Sequence, residues 1–230
     1  MSEFFDFIRN NMGHVFPILI AGAFALAIII ERSIALFQRY PIHNSDAFFD
    51  KITDLVMCGK LAEAISVCDR YSDKPAAQVV KQALLRAHQP ESLIENGLEL
   101  AVAKSTQNIQ RRTSFLAMIA NVATLLGLFG TIAGLISSFH AVGQADAATK
   151  STMLAAGIST AMNATMMGLG VAIPCMVAFS FLMNRTNRLV AEVDQSAVAA
   201  LDILKQRFYS AELGALKSVT KSSSKKNQEA

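Results

Sequence analysis

Along the 230-residue chain, apolar positions fall into two patterns. One is unbroken: residues 15–30 form an uncharged run of sixteen, and residues 115–139 and 153–183 contain no Asp, Glu, Lys, Arg or His. The last two exceed the roughly 20 residues that carry a helix across the hydrocarbon core. The first reaches that length by taking in Ile34 to Phe37 beyond Glu31 and Arg32, charges that suit an interface where a long Arg can snorkel. The other pattern is periodic. Between spans one and two, Ser45 is placed to cap a run with Phe48, Phe49, Ile52, Leu55 and Val56, and a second run carries Leu61, Ala64, Ile65 and Cys68. Pro75 and Pro90 each mark a helix start. Leu93, Ile94, Leu98, Ala101, Val102 and Ile109 then predict a helix from residue 91 to 112 that continues straight into the second span.

After the third span the stripe Val190, Val193, Ala197, Leu201, Leu204 and Phe208 recurs at three- and four-residue steps. Unbroken from Met153 to Phe208, that helix would be about 80 Å long. Its stripe needs a partner, either the helix beginning at residue 91 or a neighbouring copy. Residues 210–230 are rich in Lys and Ser and are expected to be a disordered basic tail. The fold class is therefore an all-α integral membrane protein with three transmembrane helices and long helical extensions.

Composition agrees, with 52% hydrophobic and 17% charged residues. A cleaved leader is the other reading of the first segment, but Glu3 and Asp6 outnumber Arg9 in a flank that should be basic. Lys and Arg then give the orientation. Residues 38–114 hold ten and the chain after Met183 holds eight, against one before the first span and one, Lys150, between residues 140 and 152. The expected plan is residues 1–14 outside, 15–37 the first span, and 38–114 a cytoplasmic helical loop continuing into the second helix. Residues 115–139 form the second span, 140–152 an outside loop, 153–183 the third span, 184–209 a cytoplasmic extension and 210–230 the tail. The net charge of +3 records this topology and is no nucleic-acid footprint.

Cys58, Cys68 and Cys175 offer no pair to an oxidising compartment, and no cysteine or histidine cluster has metal-ligand spacing. His14, His43, His88 and His140 stand without a nucleophile or metal-spaced partner, so neither an enzyme nor a cofactor is expected.

Chemistry concentrates in the second and third spans. Thr124, Gly127, Thr131, Gly134 and Ser138 follow steps of three and four, and Gly130 with Gly134 makes a GxxxG pair that admits another backbone. In the third span Thr160, Asn163, Met167 and Gly170 fall on one face, and Ala161, Thr165, Gly168 and Ala172 on a second. Pro174 removes a backbone hydrogen bond and should bend that helix. Small residues and Thr serve packing alone in many membrane helices. Asn163 argues for more, because its amide needs several partners. Such neutral groups could line a wet passage, yet none titrates near neutral pH. An ion path here would borrow a carboxylate from another chain.

The stretches LLGLFGTIAGLISSF, residues 125–139, and GISTAMNATMMGLGVAIP, residues 157–174, resemble the paired signature of the MotA/TolQ/ExbB proton-channel family, on its ExbB/TolQ side. The resemblance implies a homopentamer in the bacterial inner membrane, with the outside segments periplasmic. It also implies an ExbD/TolR-like single-span partner whose aspartate carries protons, and a TonB/TolA-like protein or other envelope machine as the recipient of the work. Thr131 and Thr165 match the threonines of the two motifs and would line the path, with Thr160 and Asn163 as further lining; Gly127, Gly130, Gly134, Gly168, Gly170 and Pro174 would shape the packing. Thr160 stands where ExbB and TolQ commonly have glutamate. Proton and sodium coupling are both open, as oxygens of this kind also ligate Na⁺. A passive membrane scaffold is the alternative, whereas three spans without internal charge do not suit a stand-alone transporter.

Overall fold

A computed structural model describes residues 12–226, with side chains described from residue 16 to 210. The expected outer segments before residue 12 and after residue 226 lie outside the described residues. Among the described residues seven α-helices follow in order: α1 (Met12–Ile34), α2 (Ser45–Met57), α3 (Leu61–Arg70), α4 (Pro75–Leu85), α5 (Glu91–Gln110), α6 (Thr113–Gln144) and α7 (Lys150–Lys226). A π-helical turn, Ala35–Arg39, closes α1, and no strand occurs among the described residues. Three stretches are long and apolar enough to cross a membrane: Phe16–Arg39, Glu91–Gln144 through its α6 part, and Lys150–Ser210 through the first part of α7. An all-helical answer is what a bilayer demands, since each backbone N–H and C=O must be satisfied within its own segment.

The chain divides into two compact units. The first contains residues up to Ala35 together with Gln110–Asn184. Its packing rests on small residues. On α6, Leu116, Ala120, Ala123, Gly127, Gly130 and Ser138 are buried along one line of three- and four-residue steps. On α7 the matching line is Ala161, Ala164, Gly168, Ala172 and Cys175. Gly22 brings α1 against α7, where an added Cβ would lie 3.3 Å from Val171 Cγ2.

The second unit contains Leu36–Ile109 and residues from Arg185 onward. Ile52 and Val56 of α2, Ala64 and Cys68 of α3, and Val79, Val80 and Ala83 of α4 form its buried centre, with Ile94, Leu98 and Ile109 from α5. Phe48 meets Phe49 and Tyr71 edge-on, each at 5.4 Å between centroids, so the loop aromatics fill an intrachain contact. Pro75 opens α4 at its first turn, and the Pro90 carbonyl accepts the first turn of α5. Ser45, in contrast, is no cap: it is the first helical residue, preceded by Asn44, and neither side chain caps the helix. Of the expected α7 stripe, Val193, Ala197 and Leu204 are buried, Val190 and Leu201 are half-buried and Phe208 is half exposed; Leu189, Ser196 and Ala200 widen the buried face on one side. Lys205 bridges α7 to α5 through Glu91 at 2.6 Å and Glu95 at 3.4 Å.

Two further expectations are corrected. The helix begun at Glu91 stops at Gln110, because Arg112 adopts a left-handed backbone with φ 65° before α6 begins. Also, α7 runs on to Lys226, into the stretch whose composition reads as a disordered tail.

Candidate functional site

Three antiparallel contacts fix how α6 and α7 meet. A Cβ added to Gly127 would lie 3.2 Å from Gly168 Cα, and one added to Gly168 would lie 2.7 Å from the Ala123 carbonyl oxygen. A Cβ on Gly134 would come within 3.2 Å of Ala161 Cα. At the next level Gly157 faces Ser138, whose Oγ occupies the place of a Cβ at 1.8 Å. Glycine is required at these crossings because the two backbones nearly touch. Gly157 was missed by the motif reading, although it stands four residues before Ala161 on the same small-residue line. Ser138 turns its hydroxyl back to the Gly134 carbonyl at 2.6 Å, so the close approach buries no orphan donor.

At the centre of this seam, Thr165 Oγ1 donates across the helix pair to the Gly127 carbonyl at 3.2 Å. In the α6 ladder that same carbonyl receives the N–H of residue 131. The Thr165 hydroxyl and the backbone N–H of Thr131 therefore share one oxygen. Thr131 Oγ1 itself donates to the Leu128 carbonyl at 2.6 Å. Both side chains are half-buried, and each hydroxyl retains acceptor capacity after its donation.

Thr160 and Asn163 are not brought to this pair. At 100° per residue, Thr160 lies about 140° from Thr165 around α7, and the buried Ala161 and Ala164 stand on the ridge between them. Thr160 Oγ1 returns to the Ala156 carbonyl at 3.0 Å. The half-buried Asn163 amide has no hydrogen-bond partner among the described residues. Gly130 is buried in the α6 line. Gly170 meets nothing within 4 Å, and Pro174 is exposed, so neither packs within the chain. The helix assignment continues unbroken through Pro174.

Where α6 begins, Arg112 Nη1 reaches both carboxylate oxygens of Glu31, at 2.7 and 2.8 Å. Glu31 thus ties the end of the first helix to the start of the second span within one chain. Its neighbour Arg32 is 4% exposed and points inward, not out along the surface. In the second unit, Arg185 Nε donates to the Leu36 carbonyl at 3.3 Å and its guanidinium lies 5.6 Å from the Phe37 ring centroid. Spacing alone signals none of these three roles for Arg.

Three apolar helices joined through glycine, with uncharged hydroxyls at the crossing and no Asp, Glu, Lys, Arg or His between residues 115 and 139 or 153 and 183, fit a membrane protein of the channel and transport class. The model of the MotA/TolQ/ExbB proton channel family matches residues 71–195, more than half of the chain, and the chain belongs to that family, in its ExbB/TolQ branch. It is 37% identical over 103 residues to the Tol-Pal system protein TolQ of Haemophilus influenzae, covering 44% of this chain and 45% of that protein. It is 32% identical over 186 residues to a putative biopolymer transport protein ExbB homolog of Methanothermobacter thermautotrophicus, covering 80% of this chain and 63% of that one. With the biopolymer transport protein ExbB of Pseudomonas putida it shares 34% identity over 104 residues, 45% of this chain and 31% of that protein. The chain thus spans between about a third and two thirds of the length of these relatives.

Proposed function

We propose that the protein is the channel-forming subunit of an ion-motive-force-driven motor in a bacterial inner membrane. In this reading it forms a ring, a pentamer by family resemblance, with residues 38–114 and 184–209 on the cytoplasmic side. A single-span ExbD/TolR-like partner supplies the aspartate that takes up and releases the ion. The names of its relatives, a Tol-Pal system protein and a biopolymer transport protein, support a role in a system of one of those two kinds, with envelope maintenance or transport as the work powered. The observation that carries the reading is the Thr165 hydroxyl bonded across the helix pair to the Gly127 carbonyl, one turn before Thr131, within spans that contain no charge. Their remaining lone pairs offer a moving carboxylic acid a neutral acceptor wall without competing for its proton. Thr160 and Asn163, on the other side of the ridge, are assigned a secondary role in this path.

A passive scaffold is the second reading. It is favoured by one observation: both hydroxyl protons are already donated inside the chain, as packing alone would have it. Ion flux separates the two. In vesicles carrying the chain and its partner, Thr165→Val and Thr131→Val should lower flux at least tenfold with assembly intact, and partner Asp→Asn should abolish it. Proton and sodium gradients applied separately identify the ion. Wild-type vesicles that pass neither ion would establish the scaffold.

A further inference from the structure

Among the polar groups of the membrane unit that have no hydrogen-bond partner among the described residues, two share a depth. The first is a backbone carbonyl. Pro174 lies inside α7 and has no N–H, so the carbonyl of Gly170, four residues earlier, is left without its helical donor. Both residues are exposed, and no atom lies within 4 Å of the place a Gly170 side chain would take. The second is Asn121 of α6, which is exposed and whose amide has no hydrogen-bond partner among the described residues. Nine residues beyond Arg112, it sits about 13 Å along the helix axis from that charge. A side chain so short cannot reach water from there, and hydrocarbon offers it nothing.

The glycine crossings give the depth. Gly127 opposes Gly168, Gly134 opposes Ala161 and Ser138 opposes Gly157, three pairs in a single antiparallel register. Carried along the helices, that register sets Asn121 level with Pro174. The Gly170 carbonyl points toward the C-terminus of α7, hence toward residue 174, which leaves acceptor and amide within about one helical turn of each other in depth.

They cannot meet within one chain. Asn121 is rotated about 120° around α6 from Gly127, and Gly170 about 160° around α7 from Gly168, so each occupies the back of its own helix. A donor on one back and an acceptor on the other, at equal depth, is the arrangement by which identical copies join side by side. Rotation about an axis normal to the membrane keeps every residue at its own depth, and repeated head-to-tail contacts close a ring. We infer that the Asn121 amide of one copy donates to the Gly170 carbonyl of the next, with Pro174 keeping that carbonyl free. The occupant of this face is a second copy of the chain, because acyl chains supply neither donor nor acceptor. The inference rests on the homo-oligomeric reading above.

The test uses full-length chain in membranes, with Cys58→Ser, Cys68→Ala and Cys175→Ala. Asn121→Cys combined with Gly170→Cys should give, on mild oxidation, a ladder of linked species ending at the full ring. Asn121→Cys with Phe181→Cys, about 16 Å further along α7, should stay unlinked. Independently, Asn121→Leu should weaken assembly about three- to tenfold. In a Pro174→Ala background, where residue 174 regains the N–H that occupies the carbonyl, the same change should have no further effect. An intact ring that gives no ladder, or equal effects of Asn121→Leu in both backgrounds, overturns this contact and leaves the ring standing. A chain that is monomeric in native membranes overturns the ring and the contact together.

Discussion

Gly168 sets how near α6 and α7 approach, and a single methyl tests it. Gly168→Ala would place carbon 2.7 Å from the Ala123 carbonyl and 2.9 Å from Gly127 Cα, both backbone atoms that cannot swing aside. The expected loss is about 1–3 kcal/mol, read as a lowered thermal midpoint in detergent. Gly143→Ala, on α6 with nothing within 4 Å, should instead gain about 0.5–1 kcal/mol through a less flexible unfolded chain. Thr165→Val removes the hydroxyl that crosses to Gly127 and should cost about 0.6–1.7 kcal/mol. If both glycine variants shift the midpoint equally, the close crossing is not where the stability lies. Three- and four-residue steps revealed most of this seam before any coordinates. They also set Thr160, Asn163 and Gly170 on a face apart from Ala161, Thr165 and Gly168, where the structure has them. It is the family resemblance that counts Gly170 among the packing glycines and Thr160 and Asn163 with Thr165, since a motif does not record which side of a buried ridge a residue takes.

Among the helices, the least legible event is the stop at Gln110. Apolar periodicity runs through Ile109 and resumes at Phe115, so a two-residue interruption leaves no mark in it, and Arg is not a residue that favours the left-handed region. The structure couples that backbone to the bidentate contact with Glu31. Arg112→Ala loses the ion pair, worth about 0–1 kcal/mol at this exposure, and keeps the unfavourable φ. Arg112→Gly loses the same pair but relieves about 1 kcal/mol of left-handed strain. The glycine variant should therefore melt close to wild type and above the alanine variant. The reverse order would mean that the left-handed turn is not intrinsic to this position. The stripe on α7 was legible through Val193, Ala197 and Leu204, whereas Leu189 and Ala200, as apolar as their neighbours, join the buried face by packing alone.

For the chain as a whole, burial sorts the three cysteines. Burial, with Asp69 alongside, pushes the Cys68 thiol from 9.0 up to about 11, whereas Cys58 is exposed. At about pH 8 a maleimide should label Cys58 within minutes and Cys68 only when the second unit opens, which peptide mapping would read. Equal labelling rates would show that α3 and α4 do not hold Cys68 closed. The pH dependence has a definite sign. For Cys68 the folded value lies above the unfolded one, so its stabilisation is complete below 9.0 and lost as pH rises toward 11. Lys205 is also raised, chiefly by its hydrogen bond to Glu91, and its share is present below 10.5 and fades above it. Thermal midpoints should thus not vary on account of these two groups between about pH 6 and 8 and should fall beyond about pH 9. A midpoint that holds through pH 11 would contradict both assignments.

The two long helices that leave the membrane unit differ in one mechanical respect. The ladder of α7, assigned from Lys150 to Lys226, lacks one rung, where Pro174 leaves the Gly170 carbonyl without a donor. The helix before the second span is instead interrupted at Arg112, where the backbone turns left-handed at φ 65°. A twist along the third helix would find its soft point inside the span, and one along the second would find it at the span's start.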